Sequence, residues 1–323
     1  MRRASFIIAA LAVVAFTAHA ETNDTVRRTF RTGDGGTIHL DADAGDVQVT
    51  SGGRGSVTVE VVRHARNADE LKRNELTFDQ KGNDVYVTSR DAERSHGHGW
   101  SFSWSDSESI SFIIHVPAHY NLDLHTSGGN VKGNDIGGNA EVHTSGGNVK
   151  LGRITGNVLA RSSGGDITID AAGGTVNAHT SGGDVKVRDA ASSVEAKSSG
   201  GSIEIHRAGG VVVAHTSGGG IEIDDAADRV DATTSGGSIT AHFSRQPRGD
   251  SRLPTSGGGL TVELPASIGA EIDAHASGGG VHSEMPITIQ GTHEDDSLVG
   301  RIGGGGPRLV LRTSGGGITI RRG

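Results

Sequence analysis

From about residue 119 onward, apolar and polar side chains alternate in short bursts separated by glycine-rich corners. One burst follows each corner, as in Ile167-Thr168-Ile169 and Val185-Lys186-Val187. A second precedes the next corner, as in Val176-Asn177-Ala178 and Val194-Glu195-Ala196. Strict alternation is the mark of a strand with one buried face. It places Val185, Val187, Val194 and Ala196 inside and Lys186 and Glu195 in water. The corners carry the tripeptide Ser-Gly-Gly, which begins at Ser127, Ser145, Ser163, Ser181, Ser199, Ser217 and Ser235, a beat of 18 residues. Repeats of this size bury their apolar faces by stacking on their neighbours.

Two strands in each 18-residue unit predict a flattened coil in which every turn adds one strand to each of two sheets. The expected fold class is therefore all-β, a single-stranded, right-handed parallel β-solenoid. Neighbouring rungs of such a coil lie about 4.8 Å apart, so ten Ser-Gly-Gly copies ending at Ser314 span about 45 Å. Three shorter strands also divide the unit evenly, which leaves a triangular section open. Each corner turns sharply, and glycine accepts positive φ without a Cβ clash. The position after the glycines is Asn130, Asn148, Asp166, Asp184, Ser202, Gly220 or Ser238. Short polar side chains there are expected to bond local backbone groups.

The beat loosens at its end, where Ser256 and Ser277 each come 21 residues after their predecessors and Ser314 another 37 later. Insertions into a solenoid bulge out as loops, here Phe243 to Pro254 and about Glu284 to Gly306. Arg321 and Arg322 are expected to discourage strand addition at the chain's end. Before residue 119 the beat is hidden, although Gly45-Asp46-Val47-Gln48-Val49 and Ser56-Val57-Thr58-Val59-Glu60-Val61 read as strands. Gln80-Lys81-Gly82-Asn83 reads as a hairpin turn between two more, and Ala68 to Arg73 as one helical turn. The predicted organisation is a leader over 1–20, a divergent β region over 21–118 that caps the coil, and a solenoid over 119–323.

Composition sharpens this picture. With 52 glycines and only 3% aromatic residues, the chain favours a thin core of Val, Ile and Ala. Arg2 and Arg3 before the apolar run Phe6 to Phe16, then Ala18-His19-Ala20, read as a cleaved export signal. The mature chain is expected to begin at Glu21 and to reside in the periplasm, in the outer envelope or outside the cell. No later segment is apolar for long enough to span a bilayer. Cysteine is absent, so stability must come from hydrogen-bond ladders and packing. Without Arg2 and Arg3 the 30 Lys and Arg fall to 28 against 38 Asp and Glu, a formal charge of -10, which argues against a nucleic-acid partner.

Repetition lines up several candidate chemistries. His125, His143, His179, His215 and His275 share one repeat position, and neighbouring rungs could bring ring nitrogens within reach of a divalent metal. Arg161 and Lys197 interrupt the column, so it reads as an outward polar ladder. Asp166 and Asp184 stack on adjacent turns, but Ser202 and Gly220 follow without charge, unlike a calcium β-roll. Thr126, Thr144, Thr180, Thr216, Thr234 and Thr255 form an inward or corner column suited to ladder hydrogen bonding rather than to ice binding. The acidic cluster His293-Glu294-Asp295-Asp296 reads as a solvated loop. Arg248-Gly249-Asp250-Ser251 reads as a chance match to a short recognition motif. Trp100, Phe102, Trp104 and Phe112 gather near the Ser95 to Ser109 stretch, where His96 and His98 flank Gly97, and a mobile insertion tip is the plain reading. No catalytic, cofactor-binding or metal-binding residue is expected, and no cofactor.

Three stretches resemble the exported bacterial family DUF4097. They are the Ser-Gly-Gly strands, Phe112-Ile113-Ile114-His115-Val116-Pro117 leading into Leu122-Asp123-Leu124-His125-Thr126-Ser127, and the terminal run Gly303 to Gly316 through Pro307-Arg308-Leu309-Val310-Leu311. The resemblance implies an exported β-helical protein linked to adhesion by name, and it carries over no catalytic residue. The function expected is a non-enzymatic envelope or surface protein, an adhesin or scaffold whose partners are cell-surface macromolecules such as polysaccharide. A carbohydrate-active β-helix enzyme and a periplasmic sensor are the alternatives. Open solenoid ends could also support a homo-oligomer. If function is local, the places where the beat fails, 95–109, 243–254 and 284–306, are its expected seats.

Overall fold

The computed structural model describes residues 22–53, 55–65, 67–91, 109–290 and 294–323. The leader expected at 1–20 and residues 95–108 of the aromatic stretch lie outside the described residues. Two sheets form, one of 14 strands and one of 15. Along the body each rung gives one strand to each sheet. Val185–Ala190 joins the first and Val194–Lys197 the second, and both pair in parallel with their equivalents on the rungs before and after. Ile167, Val185 and Ile203 stand in one row. The protein is a β-solenoid, as its repeat predicts.

The choice between two and three sides has a structural answer. From Val185 to Val187 burial alternates, but Arg188 and Asp189 both face outward before Ala190 returns to the core. The same slip recurs from Ile203 to Ala208 and from Ile167 to Ala172. Each first-sheet strand therefore turns a corner without leaving its hydrogen-bonded row, giving two sheets by pairing with one of them bent. Val187, Ile205 and Ile223 are fully buried in the first sheet, and Ala178, Ala196 and Ala214 in the second. In these body rungs Val and Ile on the first sheet, with alternating Val and Ala on the second, fill a thin core.

The Ser-Gly-Gly corner is held by two ladders of side-chain oxygens. Along the body the residue before the serine is a buried hydroxyl that donates to the second glycine's carbonyl one rung earlier: Thr144 to Gly129 at 2.9 Å, Ser162 to Gly147 at 2.9 Å, Thr180 to Gly165 at 2.8 Å and Ser198 to Gly183 at 2.8 Å. The same oxygen accepts from the glycine N–H three residues on, as Thr180 does from Gly183 at 3.3 Å. The residue after the glycines builds the second ladder, because its side-chain oxygen accepts the backbone N–H of the next rung. Asn130 serves Asn148, Asn148 serves Asp166, Asp166 serves Asp184, and Asp184 serves Ser202, at 2.7–2.9 Å. These side chains were expected to bond local backbone; stacking instead puts the neighbouring rung's N–H nearer. Asp166 and Asp184 thus have a structural use that needs no calcium.

Because Thr180 is fully buried and uses both its donor and its acceptor, its loss strands two backbone groups. Thr180→Val is expected to lower stability by about 2 kcal/mol. Thr180→Ser, which copies Ser162 and Ser198, should stay near the parent. Denaturant midpoints for the pair check this, and a valine variant as stable as the serine variant would rule out the ladder's contribution.

At both ends the chain skips a level and returns to fill it. The region expected as a divergent cap contributes a regular rung of its own: Thr37–Ala42 and Asp46–Gly53 pair in parallel with Asn121–Thr126 and Val131–Asn134. Ala44-Gly45-Asp46 makes its corner, with Asp46 accepting from Asn130 N at 2.8 Å, so the rung is real although its corner lacks the tripeptide. Asp84–Asp91 and Ser109–Pro117 pair on the other side of this rung. Beyond them lie three antiparallel strands, Asn74–Lys81, Ser56–Ala65 and Thr22–Arg31. The first is joined to Asp84–Asp91 by the predicted hairpin, with Gly82 at φ 63°, and the helical turn Ala68–Arg73 precedes it.

At the other end the last rung does not lie last. Arg308–Thr313 sits between Ser251–Thr255 and Ala270–Ala276, and Ile318–Arg322 between Leu260–Leu264 and Val281–Ser283. Arg321 and Arg322 therefore do not guard a free end, contrary to the expectation from their position in the sequence. The strands Ser297–Ile302 and Ile287–Ile289 close this end in antiparallel pairing. A charge clasp ties the inserted rung to the cap. Asp273 is 7% exposed, receives Arg312 Nη2 at 2.7 Å and is also bonded by Arg308. Burial works against its charged form, but the two guanidiniums together outweigh it and hold the carboxyl below its usual pKa.

Candidate functional site

The outward faces of the rungs form two grooves. The first runs along the bend of the first sheet, about 500 Å³ in volume, over a floor that includes Ala172, Ala190 and Ala208. Arg153, Arg207 and Arg245 lie along it with Asp189 and Asp225. Arg207 is already committed, since its guanidinium grips Asp189 one rung away, with Nε to Oδ1 at 2.9 Å.

The second groove, about 650 Å³, follows the Ser-Gly-Gly corner on the second sheet. One side is the histidine column, which in space reads Asp41, His125, His143, Arg161, His179. The other is the row Ser127, Ser145, Ser163, Ser181, all exposed. Between them the buried hydroxyls of Thr126, Thr144 and Ser162 fix the floor. Each rung from His125 to His179 thus offers one serine and one imidazole or guanidinium, repeated at about 4.8 Å.

At its N-terminal end the groove differs from a plain ladder. The His125 and His143 rings stack at 4.6 Å with 22° between their planes. Two positions back along the same strands stand Asp123 and Glu141, side by side in register. Asp123 Oδ1 lies 3.0 Å from His125 Nε2, and its other oxygen lies 2.7 Å from His39 Nδ1. His143 Nδ1 is buried and has no hydrogen-bond partner; Glu141 Oε1 stands off at 4.0 Å. Burial, and then the neighbouring His125, lower the His143 pKa from its ordinary value, which favours the neutral ring. Among the described residues, His125, Glu141 and His143 place one ligand-type atom each within 4.8 Å of one another. The rest of the column does not converge in this way: Arg161 separates His143 from His179.

The other sequence candidates fall into structural places. Phe112 is fully buried in the core, while Trp100, Phe102 and Trp104 lie outside the described residues. Asp250 Oδ1 accepts Arg308 N at 2.8 Å and the Ser251 hydroxyl accepts Val230 N at 3.0 Å, so the Arg-Gly-Asp-Ser stretch is built into the spine. Arg248 projects with 90% of its side chain exposed, and Asp250 is exposed as well although its carboxylate is used. Asp295 and Asp296 accept Val281 N and Ala276 N through their backbone carbonyls, each at 2.9 Å, which makes this acidic run a cap turn. His293 lies outside the described residues.

These features define a repeat protein of the parallel β-solenoid class, with ladder-built corners and grooves along its length. A profile of the Toastrack DUF4097 family matches residues 36–321, and the chain belongs to this family. Similar solved structures include a "putative cell adhesion protein" from Clostridium sporogenes, 11% identical, covering 94% of this chain and 100% of its own, with a TM-score of 0.23. A "putative adhesin" from Bacteroides fragilis is 12% identical over 93% of this chain and 97% of its own, TM-score 0.33. A "putative lipid binding protein" from Parabacteroides distasonis has the same identity and coverage, TM-score 0.39. No curated protein matches in sequence. Among the described residues no helix is long and apolar enough to cross a membrane.

Proposed function

We propose that this protein is a non-enzymatic component of the cell envelope or surface that binds an extended polymer, in the manner of an adhesin or scaffold. The observation that carries the reading is the second groove, in which Ser127, Ser145, Ser163 and Ser181 run parallel to His125, His143, Arg161 and His179. A hydroxyl-rich chain such as a polysaccharide meets the same donors and acceptors on successive rungs, so many weak contacts add along its length. The arrangement suits binding more than turnover, because the groove repeats one set of groups instead of concentrating a unique acid and base.

The test is a glycan array and an envelope-fraction pull-down with the mature chain, run beside a reducing-sugar assay. Binding without release of reducing ends is expected. Arg161→Ala combined with His179→Ala, both at exposed positions, should weaken binding about tenfold or more while leaving the fold intact. Release of new reducing ends, or no retention by any envelope fraction, would sink the reading.

A further inference from the structure

We infer that His125, His143 and Glu141 form a binding site for one divalent transition-metal ion of the zinc type, set at the N-terminal end of the polar groove. Two imidazoles and a carboxylate are a donor set that zinc takes readily, with bonds of about 2.0–2.2 Å. Two such bonds at a tetrahedral angle put their donor atoms about 3.4 Å apart. The three candidate atoms already lie within 4.8 Å, and His143 Nδ1 and Glu141 Oε1 are 4.0 Å apart. Side-chain rotation alone closes the difference, because all three residues sit on adjacent, rigidly paired strands: His143 stands opposite His125, and Glu141 opposite Asp123.

Two further observations point to an ion. His143 Nδ1 is buried without a hydrogen-bond partner, an uncommon state for a ring nitrogen and one that a metal would resolve. Asp123, 3.0 Å from His125 Nε2, can accept a hydrogen bond from an N–H there, which fixes the tautomer and leaves Nδ1 with its lone pair. His39 holds the second oxygen of Asp123 at 2.7 Å and is itself stacked on Tyr86 at 4.5 Å, so the orienting carboxylate is clamped from behind. Three protein ligands leave a fourth coordination position for water or an added ligand. The sequence-based expectation of no metal was drawn for the column as a whole. A two-rung site is indifferent to Arg161 and Lys197 further along; Arg161 confines it to two rungs.

The site does not depend on the polymer-binding reading. Chelator-treated protein is titrated with zinc by calorimetry and with cobalt(II) by visible absorption. One equivalent is expected to bind, with a rise in melting temperature of roughly 3–5 °C at a metal excess of about 100 Kd, and with a cobalt spectrum of tetrahedral intensity. His125→Ala and His143→Ala should each abolish binding. Asp123→Asn should weaken it about 10–100-fold. His179→Ala, in the same column but beyond Arg161, should bind as the parent does. Absence of binding, retention of full binding by His143→Ala, or equal loss in His179→Ala would overturn the site. Loss of polymer binding in the Arg161 and His179 variant with zinc binding intact would separate the two ideas.

Discussion

Replacing Gly165 with alanine is expected to destabilise the protein by about 3 kcal/mol, whereas the same change one residue earlier, at Gly164, should stay within about 1 kcal/mol of the parent. A Cβ on Gly165 would lie 2.2 Å from Gly147 O and 2.4 Å from its carbonyl carbon, atoms of the rung beneath. On Gly164 the nearest atom is 3.5 Å away. The clash at Gly165 is with backbone held by parallel ladders, so it can be relieved only by prising two rungs apart. The pattern repeats along the spine: the second glycine of each corner meets the previous rung's carbonyl oxygen at 2.0 Å for Gly147, 2.4 Å for Gly183 and 2.1 Å for Gly201. Thermal or denaturant unfolding of the two single variants decides the matter, and equal stability would show that the rungs are not stacked this closely.

The second large effect concerns the end of the chain. A protein stopping at Gly306 is expected to lose the order of 270–302 while the body from 122 to 243 stays folded. Removing Arg308–Thr313 and Ile318–Arg322 unpairs the rung on either side of them, since each strand bonds in both directions. It also takes both guanidiniums from Asp273, leaving His275 Nε2 at 3.1 Å as its remaining partner. Hydrogen exchange read by mass spectrometry should show amides of 270–302 falling to the protection of an unstructured chain. Protection that persists there would mean the cap stands without the inserted rung.

Much of this fold was legible in the sequence. Period-two alternation located the buried faces of Val185, Val187, Val194 and Ala196, and the 18-residue beat located the rows. The threonine column was legible too, because alternation placed Thr144 and Thr180 inward or at the corner, and both are buried there. The reason for the glycines was not. Positive φ was expected at Ser-Gly-Gly, yet the described positive-φ glycines include Gly45, Gly52 and Gly82 and none from the ten corner tripeptides that begin at Ser127. Sequence cannot separate a need for unusual dihedrals from a need for empty space, since glycine answers both. Only the stacked neighbour shows which applies.

The interleaved ends were hidden for a related reason. Nothing in Ile318-Thr319-Ile320 says whether one or two strands flank it, and the order of rungs in space departs from their order in the chain only where the beat is already broken. Of the candidate site, the column itself was legible and the pair within it was not. A repeat position is judged over all its copies, so Arg161 and Lys197 weighed against the histidines. Convergence of His125, His143 and Glu141 needs two rungs and depends on side-chain directions that no spacing encodes.

Between the two woven ends, the coil from Val131 to Ile239 has no feature that fixes its length. Taking out one unit of 18 residues would bring every row back into line and shorten the rod by one step of about 4.8 Å. The number of units is thus a dial that can be turned without disturbing either terminus. The reach of the molecule, and how many rungs its grooves present, are set by the number of 18-residue units in the chain, so adding or removing units resizes it in whole steps.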